Sequence, residues 1–398
     1  MVSRPATLAL LAVACLVLAG SAPAAPSSSI GAAASQFDSD RSANWVLELD
    51  GEPIRSDVVT PGLDVAQSLE TQRSAASIRL REITLQRRLQ AASTDERRFE
   101  ILTDEVEALG ARLRGLYSAE QSALAGYRQG QLSADEYLSR TAFLHARTQQ
   151  YLETISVIED EGERLQAAAI SRSVQELRTR AAVIGGPVQE HAAATYEGAS
   201  SGSAIRVEVG TEGYVASYVV DGELVRQSHR YGLRTESGST NDVRTVIDHI
   251  YSQYPDETNQ SPSISVGGQQ SAGVFFLTIT TSSSVRVTSF VDNRNLTIFK
   301  EVYRQPLTQL SFGRGVTATE DDVRLVVDHA TAADLLRIRT TADGTGDPVD
   351  AAVFFGGTRV GSTGLDGELW VVAPGNETAI NANTGSNQTV SIQHQPNA

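Results

Sequence analysis

Residues 99–127 read FEILTDEVEALGARLRGLYSAEQSALAGY, and this stretch sets the architecture of the first half of the chain. Its apolar residues recur at alternating spacings of three and four, which is the period of a helix with one buried face. Only Glu120 interrupts the apolar stripe. The stretch therefore predicts one long amphipathic helix, from about Thr94 to Arg128. The stripe consists of Phe99, Leu102, Val106, Leu109, Leu113, Leu116, Ala123 and Tyr127.

Capping residues mark where this helix and its neighbour begin. Ser93 and Glu96 fit the pattern of a capping box, as do Ser133 and Glu136, and Gly130 suits the end of the first helix. The connection is about five residues long, so we expect the two helices to run antiparallel as a hairpin or coiled coil. The second helix presents the apolar residues Tyr137, Leu144, Tyr151, Ile155, Ile158 and Leu165.

A third helix is predicted around residues 65–90. Its apolar residues are expected to cover the surface that the hairpin leaves open. The sequence Gly185-Gly186-Pro187 then stops the helical region. The apolar residues of the third helix are Leu69, Ala76, Leu80 and Ile83.

An octet occurs twice in the second half of the chain: DVRTVIDH begins at Asp242 and DVRLVVDH begins at Asp322. Each copy follows a strand–turn–strand pattern and a serine or threonine suited to capping a helix. We therefore predict two copies of one α/β unit, at 204–256 and 272–331, each ending in a helix. The two units are expected to superpose with Asp242 on Asp322.

Each octet ends in Asp-His, a pair that occurs in hydrolytic and metal sites. Neighbouring residues on a helix point about 100° apart, so Asp248 and His249 are expected to diverge rather than form a hydrogen-bonded dyad. The same holds for Asp328 and His329, which would superpose on them. The pentapeptide GASSG matches the G-x-S-x-G motif around Ser200 but lacks the preceding strand and following helix that the motif requires. We therefore assign no catalytic residues and no cofactor.

The charge balance disfavours several classes of partner. The chain has a net charge of −15 and a sequence pI of about 4.9. Nucleic acid and anionic membrane surfaces recruit proteins through basic patches, so neither is an expected partner. Lys300 is the only lysine. An acidic chain almost free of lysine is typical of adaptation to high salt, where screening relieves self-repulsion. GC-rich codon usage is the alternative explanation.

The first residues have the three parts of a secretory signal peptide: a positive charge at Arg4, an apolar core, and small residues at Ala22 and Ala24 before the cleavage site. Cys15, the only cysteine, lies inside the apolar core, so neither lipid anchoring nor disulfides are expected in the mature chain. No later stretch is long and apolar enough to span a bilayer. We therefore expect an extracellular or cell-surface protein.

Four Asn-x-Ser/Thr sequons fit this location, although Pro262 follows the first sequon and weakens it. The candidate N-glycosylation sites are Asn259, Asn295, Asn376 and Asn387.

Two stretches of the helical region carry a family resemblance. They read LDVAQSLETQRSAASIRLREI, from Leu63, and SALAGYRQGQLSADEYLSRTAFLHA, from Ser122. Both resemble the N-terminal region of a haloarchaeal family of secreted proteins of unknown function. The resemblance covers residues 45–180. It implies a helical architecture and a secreted location, but no activity and no functional residues.

The C-terminal tail alternates apolar and polar residues between Asp-Gly and Gly-Gly turns, which predicts an all-β module. It resembles the transthyretin-like or carboxypeptidase-regulatory-like β-sandwich, an Ig-like class of spacer and binding modules. Asp343 and Asp347 could hold a calcium ion with Asp350, although a turn is the favoured interpretation. The resemblance rests on Pro348, Val349, Ala352, Val353, Gly361, Thr363, Asp366 and Gly367.

Taken together, these patterns predict a multidomain α+β protein. Its expected parts are a signal peptide (1–24), a largely disordered segment with a short strand (25–60), an antiparallel helical hairpin or coiled coil (61–184), a linker (185–203), two α/β units (204–256 and 272–331) and a β-sandwich (332–398).

We expect a secreted, non-enzymatic cell-surface or assembly protein of a halophile, with a protein or cell-envelope partner. One alternative is an extracellular binding or peptidase-inhibitory module that uses the duplicated units. Its motivation is the segment VTSFVDNRNLTIFKEVY, which looks like the strands of small peptidase-propeptide modules. A hydrolase with an unrecognised site is the other alternative.

Overall fold

Five helices fill the first half of the chain in the computed structural model, which describes residues 45–235, 240–260, 262–330, 334–385 and 388–396. The predicted hairpin is present, since the second and third of these helices pack along each other and are joined by a short turn. None of the helices in the described ranges is long and apolar enough to cross a bilayer. The helices are α1 (Val65–Ala91), α2 (Asp95–Arg128), α3 (Ala134–Arg164), α4 (Ala168–Val183) and α5 (Pro187–Tyr196).

One of the two predicted capping boxes is confirmed. The Ser133 hydroxyl accepts the Glu136 backbone N–H at 3.2 Å, and the Glu136 carboxylate accepts the Ser133 N–H at 2.8 Å. The other prediction was wrong by one residue: Thr94, not Ser93, caps α2 and accepts the Arg97 N–H at 3.2 Å.

The predicted orientation of α1 was wrong. Leu69 and Leu80 are 61% and 65% exposed. The face that packs on α3 is partly polar, and its polar groups find partners there, because the Gln67 side chain donates to the Ser139 carbonyl at 3.1 Å. The buried residues of α1 are Gln67, Thr71, Ile78, Glu82, Leu85 and Leu89.

The predicted linker 185–203 contains a helix, α5, which the sequence analysis missed. Gly185 and Gly186 do interrupt the helical region, but Pro187 then stands at the first position of the new helix. Proline suits that position because its fixed φ is helical and its missing N–H would have no intrahelical partner there.

An antiparallel sheet of eight strands lies under the helices within the described chain, in the order β1-β2-β3-β4-β8-β7-β6-β5. Two short helices, α6 (Val243–Gln253) and α7 (Pro255–Thr258), follow β4 and precede β5 along the chain. They cover the face of the sheet opposite the five N-terminal helices. The strands are β1 (Arg55–Val59), β2 (Ile205–Val209), β3 (Gly213–Val220), β4 (Glu223–Arg230), β5 (Ser263–Gln269), β6 (Val274–Thr280), β7 (Arg286–Asp292) and β8 (Thr297–Pro306).

A C-terminal β-sandwich completes the described structure. It has two antiparallel four-stranded sheets, ordered β14-β11-β10-β9 and β13-β12-β15-β16. It begins at Val316 rather than at residue 332, so it includes the second octet. The strands are β9 (Val316–Glu320), β10 (Val323–His329), β11 (Leu335–Ala342), β12 (Ala351–Phe355), β13 (Thr358–Ser362), β14 (Glu368–Val372), β15 (Thr378–Thr384) and β16 (Thr389–His394).

The two octets adopt different structures. The first forms α6, as predicted, but its N-cap is Asp242, which accepts the Thr245 N–H at 2.8 Å. The predicted cap, Ser239, lies outside the described residues. The second forms β10, so the predicted helix there and the predicted superposition were wrong. The octets differ at two positions, Thr245 against Leu325 and Ile247 against Val327. In the second copy Val323, Leu325 and Val327 are all buried, which is the alternation of a strand. Duplication of a whole unit (204–256 and 272–331) is not confirmed.

Two acidic residues where the second octet begins form a hairpin turn rather than the start of a helix. Asp321 and Asp322 have φ angles of +48° and +64°, the left-handed values of a type I′ turn between β9 and β10.

Glycine at position 322 should therefore stabilise the protein. A non-glycine residue pays about 1 kcal/mol for left-handed backbone, so Asp322→Gly should raise the free energy of unfolding by roughly 0.5–1 kcal/mol in urea denaturation. The matched control is Asp242→Gly, which removes a helix cap and should cost a few tenths of a kcal/mol. A loss of stability in both variants would contradict the turn assignment.

Candidate functional site

The most unusual side chains of the sequence meet where the helices contact the sheet. Glu120 of α2 and Lys300 of β8 are each only 1% exposed. The Lys300 ammonium donates to the carbonyl oxygens of Ala182, Val183 and Gly185 at 3.2, 2.8 and 2.5 Å. The Gly185 N–H donates to Glu120 Oε1 at 3.0 Å. One glycine therefore bridges the only lysine and the residue that breaks the apolar stripe of α2.

Local backbone geometry creates this contact. The last carbonyls of a helix lack intrahelical partners and carry partial negative charge, so the end of α4 is a natural seat for an ammonium group. Gly185 continues the chain with φ +65°, and a Cβ there would lie 2.6 Å from the His145 ring nitrogen Nδ1. Glycine is therefore required by both conformation and space.

A β-bulge aims Lys300 at the helices. Lys300 pairs with Phe290 of β7 while Ile298 pairs with Val291, so Phe299 is an extra residue in β8. Bulges of this kind re-aim the side chains of a strand. As a result, Lys300 contacts the helical layer and its neighbour Glu301 contacts the opposite layer.

Burial and mutual attraction shift the pKa values of Glu120 and Lys300 in opposite directions. Burial raises the pKa of Glu120, and the positive charge of Lys300 opposes that rise. Burial lowers the pKa of Lys300 to about 8, and Glu120 opposes that fall. The Tyr231 hydroxyl also acts to lower the pKa of Glu120, although its geometry falls short of an ordinary hydrogen bond.

A ring of amides and hydroxyls extends the network from Gly185 across the sheet. Gln227 Nε2 on β4 lies 2.5 Å from the Tyr214 hydroxyl and 2.9 Å from Gln189 Oε1 on α5. Gln227 Oε1 accepts the Val188 N–H at 3.3 Å. These bonds fasten α5 to the sheet as Lys300 fastens α4.

Two buried histidines line the same layer contact. Burial lowers the pKa of His145 to about 4, with a further contribution from Lys300. Burial also lowers the pKa of His229, which stacks on Tyr231 with ring centroids 3.9 Å apart. Both rings are therefore neutral near pH 7.

The opposite face of the sheet holds a second buried charge. Glu301 Oε2 accepts the Val46 N–H at 3.2 Å and the Tyr254 hydroxyl, while Arg226 lies 3.6 Å from Glu301 Oε1. Arg226 also donates to the Leu47 carbonyl at 3.2 Å. These contacts fix the segment before β1 against the sheet.

Chemically, this network holds layers together rather than presenting a reactive group. All three donors of the Lys300 ammonium are used by carbonyl groups. The members are buried, and four grooves on the described surface are lined by other residues. In the sequence, Glu120 stands out as a charge in an apolar stripe and Lys300 as the only lysine. No sequence pattern indicates that the two side chains interact.

Neither Asp-His pair of the octets forms a dyad. Asp328 accepts from Arg337 and Arg339 at 3.0 and 2.9 Å, whereas His329 stacks on His394 with centroids 5.0 Å apart. On α6, Asp248 is exposed and His249 is half-buried.

The G-x-S-x-G serine does not reach a histidine. Ser200 lies 3.1 Å from the Thr195 hydroxyl. A different serine, Ser203, lies 2.8 Å from His191 Nε2, a contact that no motif indicated. No carboxylate of the described residues hydrogen-bonds to His191, so the pair lacks the third member of a triad.

The candidate modification sites lie on the surface where the structure describes them. Asn259, Asn295 and Asn376 are exposed. Asn387 and the cleavage-site residues Ala22 and Ala24 lie outside the described residues.

Two of the three carboxylates considered for calcium have protein partners. Asp343 pairs with Arg324 at 2.6 Å, and Asp350 accepts the Gly364 N–H at 3.0 Å. Asp347 interacts through its backbone with Ala342. In the described parts of the chain, no three histidine, cysteine or acidic residues gather as a metal site.

Comparison with known proteins gives two matches. Residues 2–201 match the model of a domain of unknown function, DUF7096. Residues 314–391 match the model of an archaeal fibronectin-III type-like domain, which covers most of the β-sandwich and the second octet. No curated protein and no solved structure matches the chain.

Removing the lysine should be strongly destabilising. Lys300→Met leaves Glu120 buried without its counter-charge, so the free energy of unfolding should fall by about 3–5 kcal/mol. The double variant Glu120→Gln/Lys300→Met should recover part of this loss, and Arg172→Met, at an exposed position, should be nearly neutral. Denaturant unfolding measures these three variants and the single variant Glu120→Gln. Strictly additive losses at positions 120 and 300 would contradict the coupling.

The buried histidine predicts a stability that depends on pH. Because the pKa of His145 is lowered from 6.5 to about 4, only the unfolded state is protonated in this range, and stability should fall as pH decreases from about 6.5 to 4. His145→Gln should reduce that slope by up to about 1.4 kcal/mol per pH unit. The comparison variant is His249→Gln, whose ring on α6 is only half-buried and should give a smaller change in slope. An unchanged slope in His145→Gln would show that the ring is not buried neutral.

Proposed function

Because the chain belongs to the family of the domain of unknown function DUF7096, which matches half of it, we propose its function from its own architecture. We propose a secreted, non-enzymatic protein at the surface of a halophilic archaeon that acts in assembly or in binding another protein. Archaeal origin is supported by the fibronectin-III type-like match. The halophilic character is supported by a net charge of −15 with a single lysine.

One observation carries the proposal. The buried ionisable groups are used to join layers: Lys300 with Glu120 fixes the helices, and Glu301 with Arg226 fixes the segment before β1. Such contacts make a rigid platform whose outer helical face is free to meet a partner. Fibronectin-III type-like domains are β-sandwiches of the kind that serve as spacers or binding modules, which suits a modular surface protein.

The location rests on the N-terminal pattern and the surface. Ala22 and Ala24 fit a signal-peptidase site. The exposed asparagines of three sequons, Asn259, Asn295 and Asn376, are accessible to a glycosylation enzyme.

The alternative of a peptidase-inhibitory module has less support. It would use two equivalent α/β units, but the second octet is β10 of the sandwich. The two upstream hairpins, β3–β4 and β7–β8, pair with each other through β4 and β8 in one sheet.

Processing of the N-terminus tests the location. In a haloarchaeal host, the chain should be recovered from the cell surface or medium with its first residue at Ala25, as read by mass spectrometry. Ala22→Asp/Ala24→Asp should block cleavage because signal peptidase requires small residues there. Ala33→Asp/Ala34→Asp, beyond the site, is the control. Recovery of the intact chain from the cytoplasm would contradict the proposal.

A further inference from the structure

A long groove runs along α1 on the outer side of the helical layer. Its first part, about 540 Å³, lies between α1 and α3, and its second part, about 370 Å³, lies between α1 and α2. The two parts adjoin each other, since Ser77 and Arg81 line both.

Arginines from three helices line this groove. Arg73 and Arg81 extend from α1, and Arg147 extends from α3, where its guanidinium group lies over the Phe143 and Tyr151 rings at 5.7 and 6.0 Å. Among the described residues, none of these three arginines has a carboxylate within 4.0 Å. Their positive charge is therefore available to a ligand.

Carboxylates reduce the charge at the ends of the groove but do not cancel it. Glu70 lines the first part, and Glu105 lines the second, where it pairs with Arg112 at 2.8 Å. Arg88, also in the second part, lies 4.0 Å from Asp104. The helix α1 itself contains five arginines and two glutamates, in a chain of net charge −15. The groove is thus a local reversal of the overall charge.

One edge of the groove is apolar. Leu69 lines the first part and Leu80 the second, and they are 61% and 65% exposed. Both lie on the side of α1 opposite its buried residues, together with exposed Val65. A partner that lies along this side of α1 would cover all three side chains.

The spacing selects an elongated ligand. Arg73 and Arg81 are eight residues apart, about 12 Å along the axis, and Leu69 and Leu80 are separated by about 16 Å. A ligand that contacts both arginines and both leucines at once must extend along the helix. A helix laid along α1 can place apolar side chains on both leucines and acidic side chains beside the arginines, which is how heptad positions select partners in helix pairs.

We propose that this groove binds an acidic amphipathic helix of a partner protein. The proposal rests on the function proposed above and names the chemistry of its partner. A flat anionic membrane fits less well because Arg147 and Arg112 sit on neighbouring helices and line a groove that a bilayer cannot enter. Nucleic acid fits less well because its phosphates offer no contact to the exposed leucines.

The test uses a fluorescein-labelled synthetic helix with leucine at heptad positions a and d and glutamate at e and g. Its anisotropy is titrated with the purified full chain in low and high salt. The wild-type chain should bind it, and more weakly at high salt, because screening shortens the range of the attraction. The same peptide with lysine at e and g should not bind.

Two paired substitutions locate the site. Arg73→Glu/Arg81→Glu should weaken binding at least about tenfold, because two attractions become repulsions. Leu69→Ser/Leu80→Ser should also weaken it. Arg172→Glu/Arg359→Glu makes the same charge change at exposed positions outside the groove and should leave affinity unchanged. Thermal melts establish that each variant is folded.

Several results would overturn the proposal: no binding by the wild-type chain, equal binding of the lysine peptide, or unchanged affinity in the Arg73/Arg81 variant. Binding only to phosphatidylglycerol vesicles would assign the groove to lipid instead. A dimer by light scattering that the Arg73/Arg81 variant abolishes, without peptide binding, would assign it to a second copy. Peptide binding is independent of where the protein is found, so failure here differs from failure of the proposed location.

Discussion

The hydrogen bonds from Lys300 to the end of α4 are the contact on which the rest of the structure depends. A buried ammonium group is costly unless hydrogen bonds and a counter-charge compensate it. Three carbonyl oxygens and Glu120 supply both. That requirement fixes the bulge in β8, the left-handed glycine after α4 and the acidic residue in the apolar stripe of α2. Each of these three features would be destabilising by itself. Together they hold the helices against the sheet.

Local signals determined what could be predicted. The period of α2 and the capping box of α3 act within a few turns, so both helices could be placed from the sequence. The orientation of α1 could not, because its apolar residues lie outward and its buried face relies on bonds such as Gln67 to Ser139. Apolar periodicity identifies one face of a helix, but partners elsewhere in the chain decide whether that face is inside.

The octets show how little sequence identity constrains secondary structure when tertiary context differs. Two copies of DVRxVxDH differ only at their fourth and sixth residues, yet one is helix and the other is strand. The left-handed turn at Asp321 and Asp322 sets up β10, and the buried Leu325 completes its alternation. Tertiary context also determines the candidate site. Glu120 and Lys300 each stand out in the sequence, the first as a charge in an apolar stripe and the second as the only lysine. Their meeting depends on a bulge at Phe299 that no local pattern marks.

Net charge and contact chemistry also act on different length scales. A chain of −15 repels polyanions at long range, and that field is screened within about 3 Å at 1 M salt. At contact, the ligand meets only the residues that line its site, and along α1 those are arginines beside exposed leucines. Arginine suits this role better than lysine. Its planar guanidinium group is weakly hydrated, and it loses less conformational entropy for each hydrogen bond that it forms with a carboxylate. A protein that has a single lysine, and buries it, can thus keep an acidic surface and still present one basic, helix-shaped face.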